Sequence, residues 1–126
     1  MVLTGCRSFL ECVLASQEIV RLLRRHLVGC RFMLLSTHIQ NIVANVDLAL
    51  QDSHLNLDRI YAENNIYTTF QRSMFPGLIL RPASSPVVLL LFHSGKVVIT
   101  GGKSTQDVVT GWQQLWPFVR SYIEAK

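Results

Sequence analysis

His93 and Ser94 stand side by side, and Gly101-Gly102-Lys103-Ser104 carries the Gly-Lys-Ser ending of a phosphate-binding loop. A Ser becomes a nucleophile when a His accepts its proton and a carboxylate orients the imidazole. Adjacent residues of a strand point to opposite faces, so His93 and Ser94 would not meet. No carboxylate is placed to orient the His. In the phosphate-binding pattern GxxxxGK[ST] the first Gly would fall at residue 97, which is Val. Neither GxSxG nor HExxH occurs. The thiols Cys6, Cys12 and Cys30 are odd in number and form no CxxC pair, which favours free thiols in a reducing compartment. His26 and Cys30 are four apart and could share a helix face, but two ligands do not complete a zinc site. Leu3-Thr4-Gly5-Cys6 has the letters of a lipoprotein cleavage box without the basic and apolar regions that precede one. These residues argue against catalysis and against a metal.

What remains is binding chemistry. Nine of the twelve basic residues are Arg, and the net charge is +4. Such a chain suits a polyanionic partner without demanding one. Apolar residues make up 49% and charged residues 16%, the reverse of a disordered composition. At 126 residues there is room for one sizeable core. The longest apolar run, Val87 to Phe92, is six residues, and a membrane-spanning helix needs about 20. The excess apolarity must therefore enter buried strands or a surface that something else covers.

The elements that position these residues come as a repeat. Val2-Leu3-Thr4-Gly5-Cys6-Arg7-Ser8 recurs as Val98-Ile99-Thr100-Gly101-Gly102-Lys103-Ser104. Each copy reads as a strand end, a Gly turn and a Ser able to cap a helix. Apolar residues then fall at Phe9, Val13, Val20, Leu23 and Leu27, and at Val108, Trp112, Leu115, Val119 and Tyr122. Steps of three and four predict one apolar helix face in each case. Trp112 and Trp116 are expected in the core. Between the copies, His38 to Leu48 alternates as a half-buried strand. Leu55 to Tyr61 suits a short helix, and Phe75-Pro76-Gly77 a turn. Leu78 to Arg81, Val87 to Phe92 and Lys96 to Thr100 suit strands, with Pro82 and Pro86 bracketing a loop.

The last two strands are apolar on both sides. If Leu89, Leu91, Val97 and Ile99 face a core, Leu90, Phe92, Val98 and Thr100 face away from it. An antiparallel sheet usually shows water polar residues on its free face. An apolar free face is a binding surface or an aggregation hazard.

Ile39-Gln40-Asn41-Ile42-Val43, Phe75-Pro76-Gly77-Leu78-Ile79 and Val88 through Lys103 closely resemble three blocks of the second repeat of the TATA-binding protein core, in order and at the right spacing. The resemblance runs from about Thr37 to the C-terminus. Residues 1–36 resemble the tail of the first repeat: strand end, long helix and linker. Residues 37–126 resemble a complete second repeat. The implied fold is α+β, a saddle of curved antiparallel sheet with helices on the convex face. Its concave face lies in the DNA minor groove, where apolar wedges entering base steps kink the duplex.

Carried over position by position, the resemblance implies that Phe75 and Phe92 are the wedges, with Met74 and Leu90 as their apolar neighbours. Asn41 would hydrogen-bond base edges, a contact that mainly sorts A·T from G·C. Val43, Val98 and Thr100 would line the groove floor, with Val2 and Thr4 as first-repeat counterparts. Arg81, Lys96 and Lys103 would contact phosphates, with Arg7 corresponding to Lys103. Arg21, Arg24 and Arg25 share one helix face. The resemblance implies that this face receives a partner such as transcription factor IIA; the plainer alternative is a solvated basic face.

The chain also departs from the family. Basic residues expected after Arg81 are replaced by Pro82-Ala83-Ser84-Ser85-Pro86, which lowers the expected number of phosphate contacts. Acidic residues that meet transcription factor IIB are replaced by Gln71, Arg72 and Ser73. The resemblance thus implies a nuclear transcription-initiation factor, not an enzyme, without cofactor, that binds and bends A·T-rich DNA and recruits initiation factors. The alternative is a scaffold of the same fold that acts mainly through protein contacts. Met1 is not expected to start a self-sufficient fold. The helix after Ser8 presents an apolar face wide enough for a sheet, and it is expected to be the least well packed element.

Overall fold

Ser8 and Ser104 cap their helices as the repeat predicts. The computed structural model describes residues 1–126, which form two compact units, Met1–Ile39 and Gln40–Lys126.

In the first unit Ser8 accepts a hydrogen bond from the Glu11 N–H at 3.1 Å, and Glu11 in turn accepts from the Arg7 N–H at 2.7 Å. The first bond satisfies a donor that a helix start leaves orphaned, and the second ties the residue before the cap to the first turn. Helix α1 follows over Phe9–His26. Its only buried residue is Ser16, and Phe9, Leu10, Leu14, Leu22 and Leu27 are exposed. No strand forms over Met1–Thr4. A strand is defined by a ladder, and no neighbouring strand offers this segment one. The helix stops at His26, so Cys30 lies beyond it, after Gly29 in a left-handed conformation.

The second unit holds the remaining elements: β1 (Ile42–Asp47), β2 (Ser53–Leu55), α2 (Leu57–Glu63), β3 (Thr68–Thr69), β4 (Leu78–Leu80), β5 (Val88–Leu91), β6 (Lys96–Gly102), α3 (Thr105–Arg120) and β7 (Ile123–Ala125). Five strands form one antiparallel sheet in the order β1-β6-β5-β4-β3. Strand β2 pairs with β7 in a separate two-stranded sheet. The first strand begins at Ile42 rather than His38, because its partner β6 ends opposite it at Gly102. Leu55 ends β2 instead of opening a helix. Asn56 caps α2 by accepting from the Arg59 N–H at 3.0 Å, and the helix starts one residue later.

Alternation sorts the sheet. Leu78, Leu89, Leu91, Val97 and Ile99 are essentially inaccessible. They form one core with Leu57 and Ile60 of α2 and Val108 and Val119 of α3, and Trp112, Leu115 and Trp116 pack against it. Burying each Leu or Val is worth roughly 1.5–3 kcal/mol, so this face anchors the helices.

A polar cluster ties α2 to the C-terminal strand. Tyr122 donates to Glu63 at 2.6 Å, and Arg59 bridges Glu63 at 3.1 Å and Glu124 at 3.0 Å. Asn56 donates to Glu124 at 2.9 Å. The Tyr122 hydroxyl and Arg59 hold the Glu63 carboxyl below its ordinary pKa. Asn56 and Arg59 do the same for Glu124. The Glu63 carboxylate pushes the Tyr122 phenol up.

Candidate nucleic-acid interface

The helices of the second unit pack on one side of its sheet, so the interface is built from what points the other way. Cross-strand register sets Asn45 of β1, Val98 of β6, Leu90 of β5, Ile79 of β4 and Thr69 of β3 in one row. Thr100 and Val88 begin the next row, and Asp47 opposite Lys96 lies on the other side. Val88, Leu90, Val98 and Ile79 are only half-buried, and Val43 is 57% exposed. The face is apolar through its middle and carries charge at its rim.

Phe75 and Phe92 come together. Their rings meet edge to face with centroids 5.7 Å apart. Phe92 lies beyond the end of β5, where its N–H donates to the Lys96 carbonyl at 3.0 Å. Phe75 sits in the loop before β4, its N–H donating to the Gln71 carbonyl at 2.9 Å. Gly77 makes room for both rings. A Cβ there would lie 2.7 Å from a Phe75 ring carbon, closer than real Cβ contacts come, and a tight 3.0 Å from one of Phe92. Met74 is 81% exposed beside them.

Asn41 precedes β1 and is held across the strand end. Its side-chain oxygen accepts from the Gly101 N–H at 2.7 Å, and its amide nitrogen donates to Thr100 Oγ1 at 3.1 Å. These bonds serve a bulge. The register shifts by one residue between Ile42 and Ala44, so that β6 carries an extra residue there. Gly101 takes φ of +88°, and a Cβ on it would approach the Pro86 carbonyl to 2.8 Å. A Gly in the left-handed region is what such a bulge requires. The Gly101 N–H can only donate, so the group facing it is the Asn41 oxygen. The NH2 is thereby turned toward the exposed side with one hydrogen still free.

The basic candidates lie outside this apolar field. Arg81, Lys96 and Lys103 are all exposed. The loop Pro82–Pro86 brings no cation beside Arg81. Arg72 reaches Asp58 in an exposed ion pair and lies over the Phe70 ring, 4.9 Å from its centroid. The His93 ring stacks on His54 at 4.6 Å, which engages it away from any triad role. No group of three His, Cys, Asp or Glu residues is arranged to hold a metal ion, and no helix is long and apolar enough to cross a membrane.

In the first unit Val2, Thr4 and Arg7 are exposed, and the first two belong to no strand. The groove-floor role assigned to Val2 and Thr4 supposes a strand end that this segment does not form. Arg21, Arg24 and Arg25 are exposed together on α1. Arg21 pairs with Glu18 at 2.6 Å, and the Arg24 guanidinium donates to the Phe32 carbonyl at 2.8 Å.

Residues 36–122 match the family described as transcription factor TFIID, or TATA-binding protein. The chain belongs to the TATA-binding protein family. It is 34% identical over 122 residues to the TBP-related factor of Drosophila melanogaster, an alignment covering 97% of this chain and 52% of that one. Identity to the TATA-box-binding protein of Acanthamoeba castellanii is 31%, covering 97% of this chain and 45% of the relative. The solved structure of Methanococcus jannaschii TBP superposes with a TM-score of 0.74 and 33% identity, covering 93% of this chain and 64% of that one. The chain thus spans about half the length of the curated relatives it matches. Its fold is that of a TATA-binding protein: α+β, an antiparallel sheet with helices.

Sequence reading missed part of the free face. Ile79 and Val88 stand in the same rows as Leu90, Val98 and Thr100. Their signal was present in strand parity: Ile79 alternates with the buried Leu78 and Leu80, and Val88 with Leu89. The support roles of Gly77 and Gly101 had no such signal.

Proposed function

We propose that this chain is a nuclear transcription-initiation factor that binds DNA in the minor groove and bends it. The observation that carries the reading is the apolar free face with Phe75 and Phe92 paired at its rim. Two aromatic rings beside an apolar sheet face suit insertion between base pairs, where unstacking opens the groove over more protein surface. Asn41 supports the reading in a second way. Its NH2 keeps one donor free, and A·T pairs offer only acceptors to the minor groove, whereas G·C pairs add a competing donor. Val43, Leu90, Val98 and Thr100 serve as floor contacts, with Met74 beside the wedges. Arg81, Lys96 and Lys103 contact phosphate. Residues 1–36 are the tail of a first repeat and 37–126 a second one. The Arg21, Arg24 and Arg25 face receives a IIA-like partner.

The test is anisotropy on an A·T-rich duplex, with end-to-end energy transfer to report the bend. The chain binds and bends, and Phe75→Ala with Phe92→Ala removes the bend. With three phosphate-contacting cations, log K falls against log salt with a slope near −3, about −0.9 per contact. Bending that survives loss of both rings refutes the wedge reading. A second reading has one observation behind it: the loop Pro82–Pro86 lacks cations. An intact free face with no DNA affinity at low salt would make the chain a scaffold acting through protein contacts.

A further inference from the structure

We infer that Cys6 and Cys12 are a redox pair, which a small-molecule disulfide closes to a reversible disulfide across the start of α1. The repeat supplies the geometry, because residues 5–12 and 101–108 share one local conformation. Gly5 and Gly101 take φ of +84° and +88°. Ser8 and Ser104 are both extended caps that accept from the third residue after them. The Arg7 N–H donates to the Glu11 carboxylate, and the Lys103 N–H to that of Asp107. The Cys12 N–H donates to the Ser8 carbonyl at 3.2 Å, and the Val108 N–H to the Ser104 carbonyl at 3.4 Å. Cys6 thus corresponds to Gly102, and Cys12 to Val108.

A Cβ on Gly102 would lie 3.0 Å from a γ carbon of Val108. That is tight for unbonded groups, but it is the separation that a disulfide imposes. There the β carbon of one Cys stands about 3 Å from the sulfur of the other, two bonds away. A Cys sulfur takes the same staggered positions as the γ carbons of Val. Where the second copy relieves the contact with Gly, the first has two thiols. Hydrogen bonding to Cys12 is the chief cause that pushes the Cys6 thiol pKa up, so the reduced sulfurs are already neighbours. Both residues are half-buried, within reach of a small disulfide. Cys30 is placed otherwise: α1 carries the chain about 20 Å from Cys12 to His26 before Cys30 is reached. Closure takes two exchanges. One protein thiolate attacks a sulfur of glutathione disulfide, forming a protein–glutathione disulfide and releasing one glutathione. The second protein thiolate attacks the protein sulfur of that bond, closing the ring and releasing the other glutathione. Two protein thiols are oxidised, one glutathione disulfide is reduced, and both protons end on the released thiols. In a reducing compartment the pair rests as thiols and closes only when the glutathione pool is oxidised.

The test is oxidation of the folded 126-residue chain with glutathione disulfide at neutral pH, then alkylation of the remaining thiols, trypsin and mass spectrometry. Trypsin cuts after Arg7, between the two cysteines. The bridge therefore joins fragments 1–7 and 8–21 into one species, lighter than their sum by two hydrogens and separated again by dithiothreitol. The intact mass stays that of one chain, so the bridge is intramolecular. Glutathione adducts on Cys6 and Cys12 stay scarce, because the resolving thiol is held beside the first. In urea the bridge-to-adduct ratio falls by about tenfold or more, as effective concentration does once two groups are no longer held together. Cys30→Ser leaves the bridge in place. Absence of the joined fragments after oxidation overturns the inference. So does preferred joining of either fragment to the one that holds Cys30, a bridge found only between chains, or a bridge-to-adduct ratio unchanged in urea.

Discussion

Leu89 and Leu90 are the same residue, adjacent in the chain, and the sheet gives them opposite work. Leu89 is wholly buried against the helices. Leu90 is half-buried on the free face, opposite Val98 and Ile79. Leu89→Ala removes fully buried methyl groups and leaves a cavity, a cost of about 2–5 kcal/mol. A domain's whole stability is about 5–15 kcal/mol, so the variant still folds near room temperature. Each kcal/mol moves the melting point of a domain this size by about 4–8 °C, which predicts a fall of roughly 8–40 °C. Leu90→Ala loses about half the transfer energy of a buried Leu, about 1 kcal/mol, and a few degrees. The two variants exchange rank in DNA binding. Leu89→Ala binds an A·T-rich duplex like the parent at a temperature where it is folded, and Leu90→Ala binds more weakly. Thermal melts followed by circular dichroism, with anisotropy at one cool temperature, read both quantities on the same samples. Equal loss of stability in the two variants would refute the assignment of faces. Weaker DNA binding by folded Leu89→Ala than by Leu90→Ala would refute the use made of them.

Asn41→Asp keeps an oxygen for the Gly101 N–H and loses the NH2 donor. Its melting point stays within a few degrees of the parent at neutral pH while DNA affinity falls, and a large fall in melting point instead would make Asn41 chiefly a brace for the bulge. Glu63 and Glu124 have lowered folded pKa values, so their contribution is present above the unfolded carboxylate range and is lost as pH falls through the folded values, on the acid side of that range. Glu63→Gln therefore flattens the acid limb of a stability–pH curve, and an unchanged limb would remove Glu63 from the account. On the reading that phosphate is met by Arg81, Lys96 and Lys103, charge reversal at Arg21, Arg24 and Arg25 together leaves duplex affinity within about twofold, because charges that do not touch the duplex add only a screened, long-range term; a collapse of DNA binding by anisotropy would place that face on the duplex.

Much of this was legible because it is periodic or local. Alternation from Val87 to Thr100 sorted Leu89, Leu91, Val97 and Ile99 inward and left an apolar second face, since successive strand residues must point oppositely. Ser8 and Ser104 announced their helices because a cap is written within four residues. The three blocks around Asn41, Phe75 and Phe92 marked the family from residue identity alone. Other features had no local cause. Strands β2, β3 and β7 are two or three residues long, too short for a period, and exist because distant partners complete their ladders. The strand expected over Met1–Thr4 lacks such a partner and does not form. The edge-to-face meeting of Phe75 and Phe92 over Gly77, and the turning of the Asn41 amide by Gly101 sixty residues away, are decided by packing and register. Identity and alternation are properties of the chain, so sequence alone determined the residues and the face each takes. Who meets whom depends on how remote strands align, and tertiary structure decided that.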